Sequence, residues 1–208
     1  MKTNANKVHQ NENIQLVQCF AVFAPIATGL LWGIHTLLQS YMRIFYISLV
    51  LLGWFCWTFA EYIVHRFFLH PRHAHEKHGK GLHHYHHTHP TEIKITTGQR
   101  ITFVIILGAL ITANYFLPVY FAIFTGLYLG FVTYCYTHVL LHKKWASAII
   151  PRLQQYHVYH HCKFPDKCFG ISCYWWDVIF QTTPPKEARI SSRILRFYFE
   201  GNDKHPET

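Results

Sequence analysis

Charged side chains are scarce in this sequence. Lys, Arg, Asp and Glu make up only 14% of the 208 residues, whereas 50% of the residues are hydrophobic and 17% are aromatic. A soluble domain usually carries about 25% charged residues. The length allows one domain and hardly two. The scarcity of charge therefore favours a single domain embedded in a membrane.

Acidic residues are especially few, 10 against 19 Lys and Arg. The basic residues are not clustered into a stripe, so we expect no nucleic-acid partner. The six cysteines include no C-x-x-C pair, which favours reduced thiols in a reducing compartment over a disulfide framework. A cleavable signal peptide is not expected either, because the first 15 residues are polar and the apolar run after them is too long.

Three long apolar runs are present instead. Leu16–Leu38 and Ile101–Leu141 contain no Asp, Glu, Lys or Arg, and Ile44–Val64 contains only Glu61. Because a membrane helix needs roughly 20 apolar residues, the longest run predicts two helices, with a turn near Asn114–Pro118. We therefore predict an all-α integral membrane protein with four transmembrane helices in two hairpins. Its predicted parts are a polar tail (1–15), a membrane-embedded domain (16–183) and a polar C-terminal tail (184–208).

The basic residues predict the orientation of these spans. The N-terminal tail, the loop 65–100 and the chain from residue 142 onward hold 18 Lys and Arg, and the two opposite connections hold only Arg43. Basic loops face the cytoplasm, so both tails and the long loop are expected there. The amphipathic stretch 188–199 predicts one of two structures. Either it is a helix at the headgroup level, with Ile190, Ile194, Leu195 and Phe197 dipping into the membrane, or it is an ordinary surface helix.

Ten of the 18 histidines form four spaced motifs at the predicted cytoplasmic span ends. The motifs are His65 and His70; His83, His86 and His87; His138 and His142; and His157, His160 and His161. Residues three and four apart share a helix face, so each H-x-x-H-H motif can direct three rings to one side. His65 and His70 would diverge by roughly 140° on a regular helix. Pro71, however, favours a helix end that lets His70 fold back.

Ten imidazoles are too many for one metal ion, which binds about four to six ligands. The motifs therefore predict a cytoplasmic, histidine-rich cap that holds two metal ions. We favour iron, because a site beside apolar helices suits an apolar substrate and O₂, although imidazole also binds zinc. His78 and His84 stay open as alternative ligands, since the second motif allows more than one register.

Two acids are expected to support the ligands from outside. A metal-bound histidine normally donates its second ring N–H to a carboxylate or a carbonyl. Glu61 lies one helical turn before His65, and Asp177 follows the fourth motif. An alternative role for Glu61 is an ion pair with Arg66.

These motifs resemble the histidine boxes of the fatty acid hydroxylase superfamily, which includes fatty acid 2-hydroxylases, sterol desaturases and carotenoid hydroxylases. The five-residue spacing of His65 and His70 is similar to that of the fatty acid 2-hydroxylase branch. The fourth motif is followed by F-G-I-S and W-D, as in that branch. The four matching segments are E-Y-I-V-H-R-F-F-L-H (61–70), H-H-Y-H-H-T-H-P-T-E (83–92), Y-T-H-V-L-L-H (136–142) and Y-H-V-Y-H-H (156–161).

The resemblance implies a di-iron enzyme that uses O₂ to hydroxylate a lipid acyl chain, such as that of a fatty acid or a ceramide. Cys135 stands where the family usually has an acid, and Gln181 stands where it has a glycine. The H-P-G-G motif of a fused haem domain does not occur. The electrons are therefore expected from a separate ferredoxin, cytochrome or reductase.

The sequence leaves two alternative functions open. A sterol or carotenoid desaturase or hydroxylase could use the same scaffold. A metal-binding or metal-transporting membrane protein is a rival from a different class. Transporters place polar residues near mid-membrane, whereas these apolar runs are nearly free of charge and the histidine motifs lie at their ends.

Overall fold

The computed structural model describes residues 40–70 and 82–201, together with four helical positions before them, 24, 28, 29 and 32. The predicted first span (16–38) therefore lies almost entirely outside the described residues, as does the tail 1–15. Within the described residues the chain is all-helical and contains no β-strand, as predicted. The α-helices are α1 (Ser40–Ile63), α2 (Leu82–Thr88), α3 (Thr97–Phe116), α4 (Ala122–Leu141), α5 (Pro151–Cys162), α6 (Trp175–Ile179) and α7 (Ser192–Glu200).

Shorter helical turns continue or connect these helices. A π-helical turn, Val64–Leu69, follows α1 directly, and 3₁₀ turns lie at Pro90–Glu92, Val119–Phe121 and Lys144–Ala148. The chain divides into two compact units, Met1–Gly53 with Thr96–Gly126 and Trp54–Ile95 with Leu127–Thr208. All ten histidines of the four motifs belong to the second unit.

Among the residues that the structure describes, three segments are long and apolar enough to cross a membrane: Met42–Leu69, Thr97–Phe116 and Val119–Leu141. The turn between the last two falls inside the range that the sequence predicted, because α3 ends at Phe116 and Pro118 precedes the next 3₁₀ turn. Proline lacks the backbone N–H that a continuing helix needs. The start of α3 is fixed by a capping box in which Thr96 and Gln99 each accept a backbone N–H of the other.

Small residues on α4 allow it to approach α1 closely. A Cβ added at Gly126 would overlap the Val50 carbonyl, and one added at Gly130 would overlap the Trp57 side chain. These two glycines are four residues apart and share one helix face. This small-x-x-x-small spacing is the pattern by which membrane helices pack backbone to backbone.

The helix α7 begins and ends on local signals. The Ser191 hydroxyl accepts the Ile194 N–H at 3.3 Å, and Gly201, at φ 65°, provides the left-handed residue that closes the helix. Ile194 and Phe197 are buried with Val158 and Cys162 of α5. The predicted dipping of Ile194 and Phe197 into the membrane is therefore wrong, because α5 offers them an apolar surface within the protein.

Candidate metal centre

The ten histidines of the four motifs form two clusters of five. In each cluster, one ring nitrogen from every histidine lies within 4.8 Å of those of the other four. Five nitrogen donors this close together are a suitable ligand set for one metal ion, so each cluster could hold one. The first cluster consists of His65, His70, His83, His87 and His160, and the second of His86, His138, His142, His157 and His161.

His65 and His70 meet through the π-helical turn. The His70 N–H donates to the His65 carbonyl at 3.1 Å, which is the i→i+5 bond of a π-helix. The two ring centroids lie 5.2 Å apart. Pro71 predicted a helix end at His70 that would let the two rings approach each other. His70 does leave the helical region, at φ −122° and ψ 61°, but the widened turn before it already places the two residues on one side.

Each H-x-x-H-H motif is divided between the two clusters. On α2, His83 and His87 belong to the first cluster and His86 to the second. On α5, His160 belongs to the first cluster, and His157 and His161 belong to the second. Both helices therefore contribute to both clusters.

The two clusters adjoin where the motifs of α2 and α5 face each other. The rings of His87 and His161 stack across the boundary, with centroids 4.1 Å apart and planes 10° from parallel. This arrangement is compatible with two metal ions in one shared site.

The facing ring nitrogens lie at the spacing that a shared metal ion imposes. In the first cluster, His83 Nε2 is 2.6 Å from His70 Nε2 and 3.2 Å from His87 Nε2. In the second cluster, the corresponding distance is 2.9 Å from His86 to His138 and 3.1 Å from His142 to His157. Two nitrogen ligands about 2.1 Å from one metal ion lie about 3 Å apart. The donor set therefore fits a metal ion in each cluster.

Backbone carbonyls orient two rings of the first cluster. His65 Nδ1 donates to the Phe169 carbonyl at 2.6 Å, and His160 Nδ1 donates to the Lys167 carbonyl at 2.8 Å. A carbonyl can only accept, so both Nδ1 atoms carry the proton and both Nε2 atoms keep a lone pair. The two Nε2 atoms are buried and have no hydrogen-bond partner among the described residues, as expected of ligand atoms facing a cation.

The two predicted supporting acids hold the loop that carries the Phe169 carbonyl. Asp177 accepts the N–H groups of Phe169 and Gly170 at 2.8 and 2.9 Å and the Thr182 hydroxyl at 2.7 Å. Glu61 accepts the N–H groups of Ile171 and Ser172 at 2.7 and 2.8 Å and also the Ser172 hydroxyl. The sequence predicted that the acids would accept directly from the ligand histidines. They instead hold the loop backbone, whose Phe169 carbonyl accepts from His65. Arg66 donates to the Tyr62 hydroxyl at 2.8 Å.

Burial keeps the imidazoles outside the membrane-spanning segments in their neutral form. It lowers the pKa of His70 and of His86 to about 4. Burial, followed by the charges of neighbouring histidines, lowers the pKa of His83 to about 2. A histidine must be neutral to bind a metal ion, so these pKa values favour binding at neutral pH.

The remaining histidines differ in environment. His84, the alternative ligand on α2, is exposed and lies outside both clusters. His89 is exposed and stacks on Tyr85 at 4.1 Å. His73, His75 and His78 lie outside the described residues.

Sequence reasoning missed three supporting groups: the carbonyls of Lys167 and Phe169 and the side chain of Tyr198, which is buried beside the second cluster. The F-G-I-S motif marks the loop that contains Phe169. No residue type marks a carbonyl that acts as an acceptor, because nearly every position has one.

Comparison with known proteins supports the resemblance. The sequence model of the family described as fatty acid hydroxylase matches residues 50–182. Fatty acid 2-hydroxylase of Mus musculus is 30% identical over 198 residues, covering 80% of this chain and 52% of the mouse protein. Dihydroceramide fatty acyl 2-hydroxylase FAH1 of Arabidopsis thaliana is 31% identical over 153 residues, covering 68% of this chain and 63% of the plant protein. The chain thus spans about half the length of the mouse relative.

A solved structure also shares the fold. It is that of full-length Scs7p, in which only the hydroxylase domain is visible. The TM-score is 0.51 at 23% sequence identity, and the match covers 84% of this chain and 68% of that one. At this level of identity the match concerns the fold alone.

Proposed function

The chain belongs to the fatty acid hydroxylase family, and from this premise we propose that it is an oxidoreductase that hydroxylates a lipid acyl chain. The observation that carries the proposal is the pair of adjoining clusters, each with five ring nitrogens within 4.8 Å of one another. The names of the relatives, fatty acid 2-hydroxylase and dihydroceramide fatty acyl 2-hydroxylase, support a fatty acid or a ceramide as the substrate.

All ten histidines of the two clusters are proposed as ligands of two iron ions, five for each ion. Imidazole donors also bind zinc, so the chemistry of the reaction rather than the donor set favours iron. When bound, iron with an open coordination position supplies the activation of O₂ that attack on an inert C–H bond requires.

The protein's own residues prepare the site for this chemistry. Burial lowers the pKa of His70, His83 and His86 and so keeps them neutral. The carbonyls of Phe169 and Lys167 fix the tautomer and orientation of His65 and His160. Glu61 and Asp177 hold the loop that supplies the Phe169 carbonyl. A catalytic site needs such supporting hydrogen bonds to hold its side chains in a productive geometry.

A bilayer source of the substrate fits the three membrane-length apolar segments. We place both termini and the metal site on the cytoplasmic side, because 18 Lys and Arg lie in the tails and the long loop and only Arg43 lies in the opposite connections. A separate electron donor, a ferredoxin, cytochrome or reductase, would then act from the cytoplasm.

The test combines metal analysis with product mass. The full chain, purified in detergent and loaded with Fe(II), is expected to bind two irons and to add one oxygen atom from labelled O₂ to an acyl substrate in the presence of a reductant system. A product lighter by two hydrogens would indicate a desaturase instead. A protein with full iron content and no O₂-dependent product from fatty acids or ceramides would contradict the proposal.

A pair of adjacent histidines on α2 provides the matched control. His83→Ala removes a member of the first cluster and should abolish hydroxylation, whereas His84→Ala changes an exposed ring outside both clusters and should leave it nearly unchanged. Equal activity in the two variants would contradict the ligand assignment.

A further inference from the structure

The two histidine clusters are supported by different parts of the chain. The first is held by hydrogen bonds from His65 and His160 to backbone carbonyls of the segment 167–169. In the second, His157 Nδ1 is buried and has no hydrogen-bond partner among the described residues. The orientation of the His157 ring therefore depends on packing rather than on a hydrogen bond to a backbone carbonyl.

Tyr198 of α7 provides much of that packing. Its ring stacks on the His142 ring, with centroids 4.7 Å apart and planes 20° from parallel. It also lies 5.5 Å from the His161 ring and 6.3 Å from the His157 ring. The Tyr198 side chain has no exposed surface, so it forms an inner wall of the second cluster.

The Tyr198 hydroxyl also anchors the side chain to the backbone next to His142. It donates to the Leu141 carbonyl at 3.3 Å, and Leu141 immediately precedes His142. One side chain therefore contacts both the ring of His142 and the end of α4 that positions it. Rotation of the His142 ring away from its neighbours would require this stack to open.

The helix α7 is in turn fixed to the other elements that carry the second cluster. Ile194 and Tyr198 share a buried apolar cluster with Val158 and Cys162 of α5, the helix that bears His157 and His161. The helix α7 also packs against the 3₁₀ turn Pro90–Glu92, which follows the helix that bears His86. It thus contacts α5, the end of α4 and the turn that follows α2.

We propose that Tyr198 is a positioning residue for the second histidine cluster, so that the metal ion there depends on the C-terminal helix while the metal ion in the first cluster depends on the loop 167–172. This inference rests on the proposed function, because it takes the two clusters as ligands of two metal ions. It assigns a structural role in metal binding to a segment for which the sequence predicted an amphipathic helix in a polar tail but no part in the metal site.

The experiment measures iron content and iron release rather than activity. The full chain is loaded with Fe(II), and transfer of iron to a chelator is followed with time. In Tyr198→Leu, one of the two irons should leave at least about tenfold faster than in the wild type, since loss of an outer-shell partner typically costs 10–100-fold in affinity. Tyr198→Phe retains the ring stack and should keep slow release of both irons.

A control on the same helix separates positioning from general stability. In the wild type, Ile194 packs in the same apolar cluster but is not in contact with the His142 ring in the way that Tyr198 is, so Ile194→Ala should accelerate iron release much less than Tyr198→Leu does. In a His87→Ala background, which weakens the first cluster, Tyr198→Leu should accelerate release of the iron that remains. That result would assign the effect to the second cluster.

The outcomes separate this inference from the proposed function. A wild-type chain that binds fewer than two irons would overturn the proposed function and this inference with it. Two irons in the wild type with unchanged release in Tyr198→Leu would overturn the inference alone. Equal acceleration in Tyr198→Leu and Ile194→Ala would also overturn it, because the role of Tyr198 would then be only to hold the helix in place.

Discussion

His86 and His87 are consecutive in the chain, yet their rings belong to different histidine clusters. Their ring centroids lie 6.1 Å apart. His86 Nε2 is 2.9 Å from His138 Nε2 of the second cluster, whereas His87 Nε2 is 3.2 Å from His83 Nε2 of the first. Successive residues on a helix point about 100° apart, so α2 can serve both clusters only by lying between them.

Substitution of these two neighbours should therefore remove different metal ions. His86→Ala and His87→Ala are each expected to lower the bound iron from two per chain towards one, and the double variant should bind almost none. Iron analysis of the purified proteins measures this. Loss of both irons in either single variant would show that the clusters are not independent sites.

Loss of the Asp177 charge should loosen the loop that supports the first cluster. The carboxylate accepts two backbone N–H groups and a hydroxyl, and the amide of Asp177→Asn would turn a donor towards at least one of these donors. Hydrogen bonds to charged groups contribute about 1.5–3 kcal/mol. The free energy of unfolding of Asp177→Asn, measured by thermal unfolding, should therefore be lower than that of the wild type by about this amount. Asp166→Asn, at an exposed position nearby, should change stability little. Similar losses in both variants would contradict a specific role for Asp177.

Gln181 occupies a backbone conformation that favours glycine. Its φ is 57°, and the resemblance to the fatty acid hydroxylases predicts a glycine there. A left-handed residue with a Cβ costs roughly 1–2 kcal/mol, which exceeds the extra unfolded-state entropy of glycine, about 0.4–1 kcal/mol. Gln181→Gly should therefore stabilise the protein by up to about 1 kcal/mol.

A glutamine-to-glycine substitution within a helix should change stability in the opposite direction. Gln155→Gly, at an exposed position of α5, should destabilise by about 1 kcal/mol. Thermal unfolding in detergent compares the two variants. Destabilisation by Gln181→Gly would contradict the account of its backbone strain.

Gly130 should not tolerate even a methyl group. A Cβ there would overlap the Trp57 side chain, and overpacking costs about 1–3 kcal/mol, more than the roughly 0.5–1 kcal/mol that alanine gains in a helix. Gly130→Ala is therefore expected to lower the unfolding temperature. Gly108→Ala on α3, where no atom lies within 4 Å of an added Cβ, should raise it slightly. A neutral Gly130→Ala would show that the helices can separate without cost.

The metal-free protein should lose stability as the pH falls. The pKa of His70 and of His86 lies at about 4 in the folded chain, below the value of about 6.5 in an unfolded chain. Below pH 6.5 the unfolded chain binds more protons, so the stabilisation is complete above about 6.5 and is lost as the pH falls through about 4.

Unfolding midpoints of the metal-free protein between pH 7.5 and 4.5 measure this dependence. His86→Gln should flatten it, whereas His84→Gln, which changes an exposed ring, should not. A midpoint that does not change with pH in the wild type would contradict the lowered pKa values.

Much of the site was predictable because its signals are local. The H-x-x-H-H motifs of α2 and α5 are read from helical spacing, and the position of the turn at Pro118 follows from the chemistry of proline. The choice of Glu61 and Asp177 also came from local signals, because Glu61 lies one helical turn before His65 and Asp177 lies in the W-D motif after the fourth histidine motif.

The hydrogen bonds of those carboxylates were not predictable. Glu61 accepts from residues 110 and 111 positions away in the chain, and no local pattern encodes such a partner. The π-helical turn at His65 was missed for a related reason. The five-residue spacing is compatible with either a helix end or a widened turn, and only packing around the rings distinguishes them.

The sequence by itself determined which residues are apolar, which histidines recur at helical spacing and where the turn at Pro118 falls, because hydropathy, periodicity and proline act over a few residues. The tertiary structure decided how the ten histidines divide between two clusters, which backbone carbonyls orient His65 and His160, and that Tyr198 stacks on His142. These choices depend on contacts between segments far apart in the chain, where the packing of whole helices rather than local propensity sets which side chains meet.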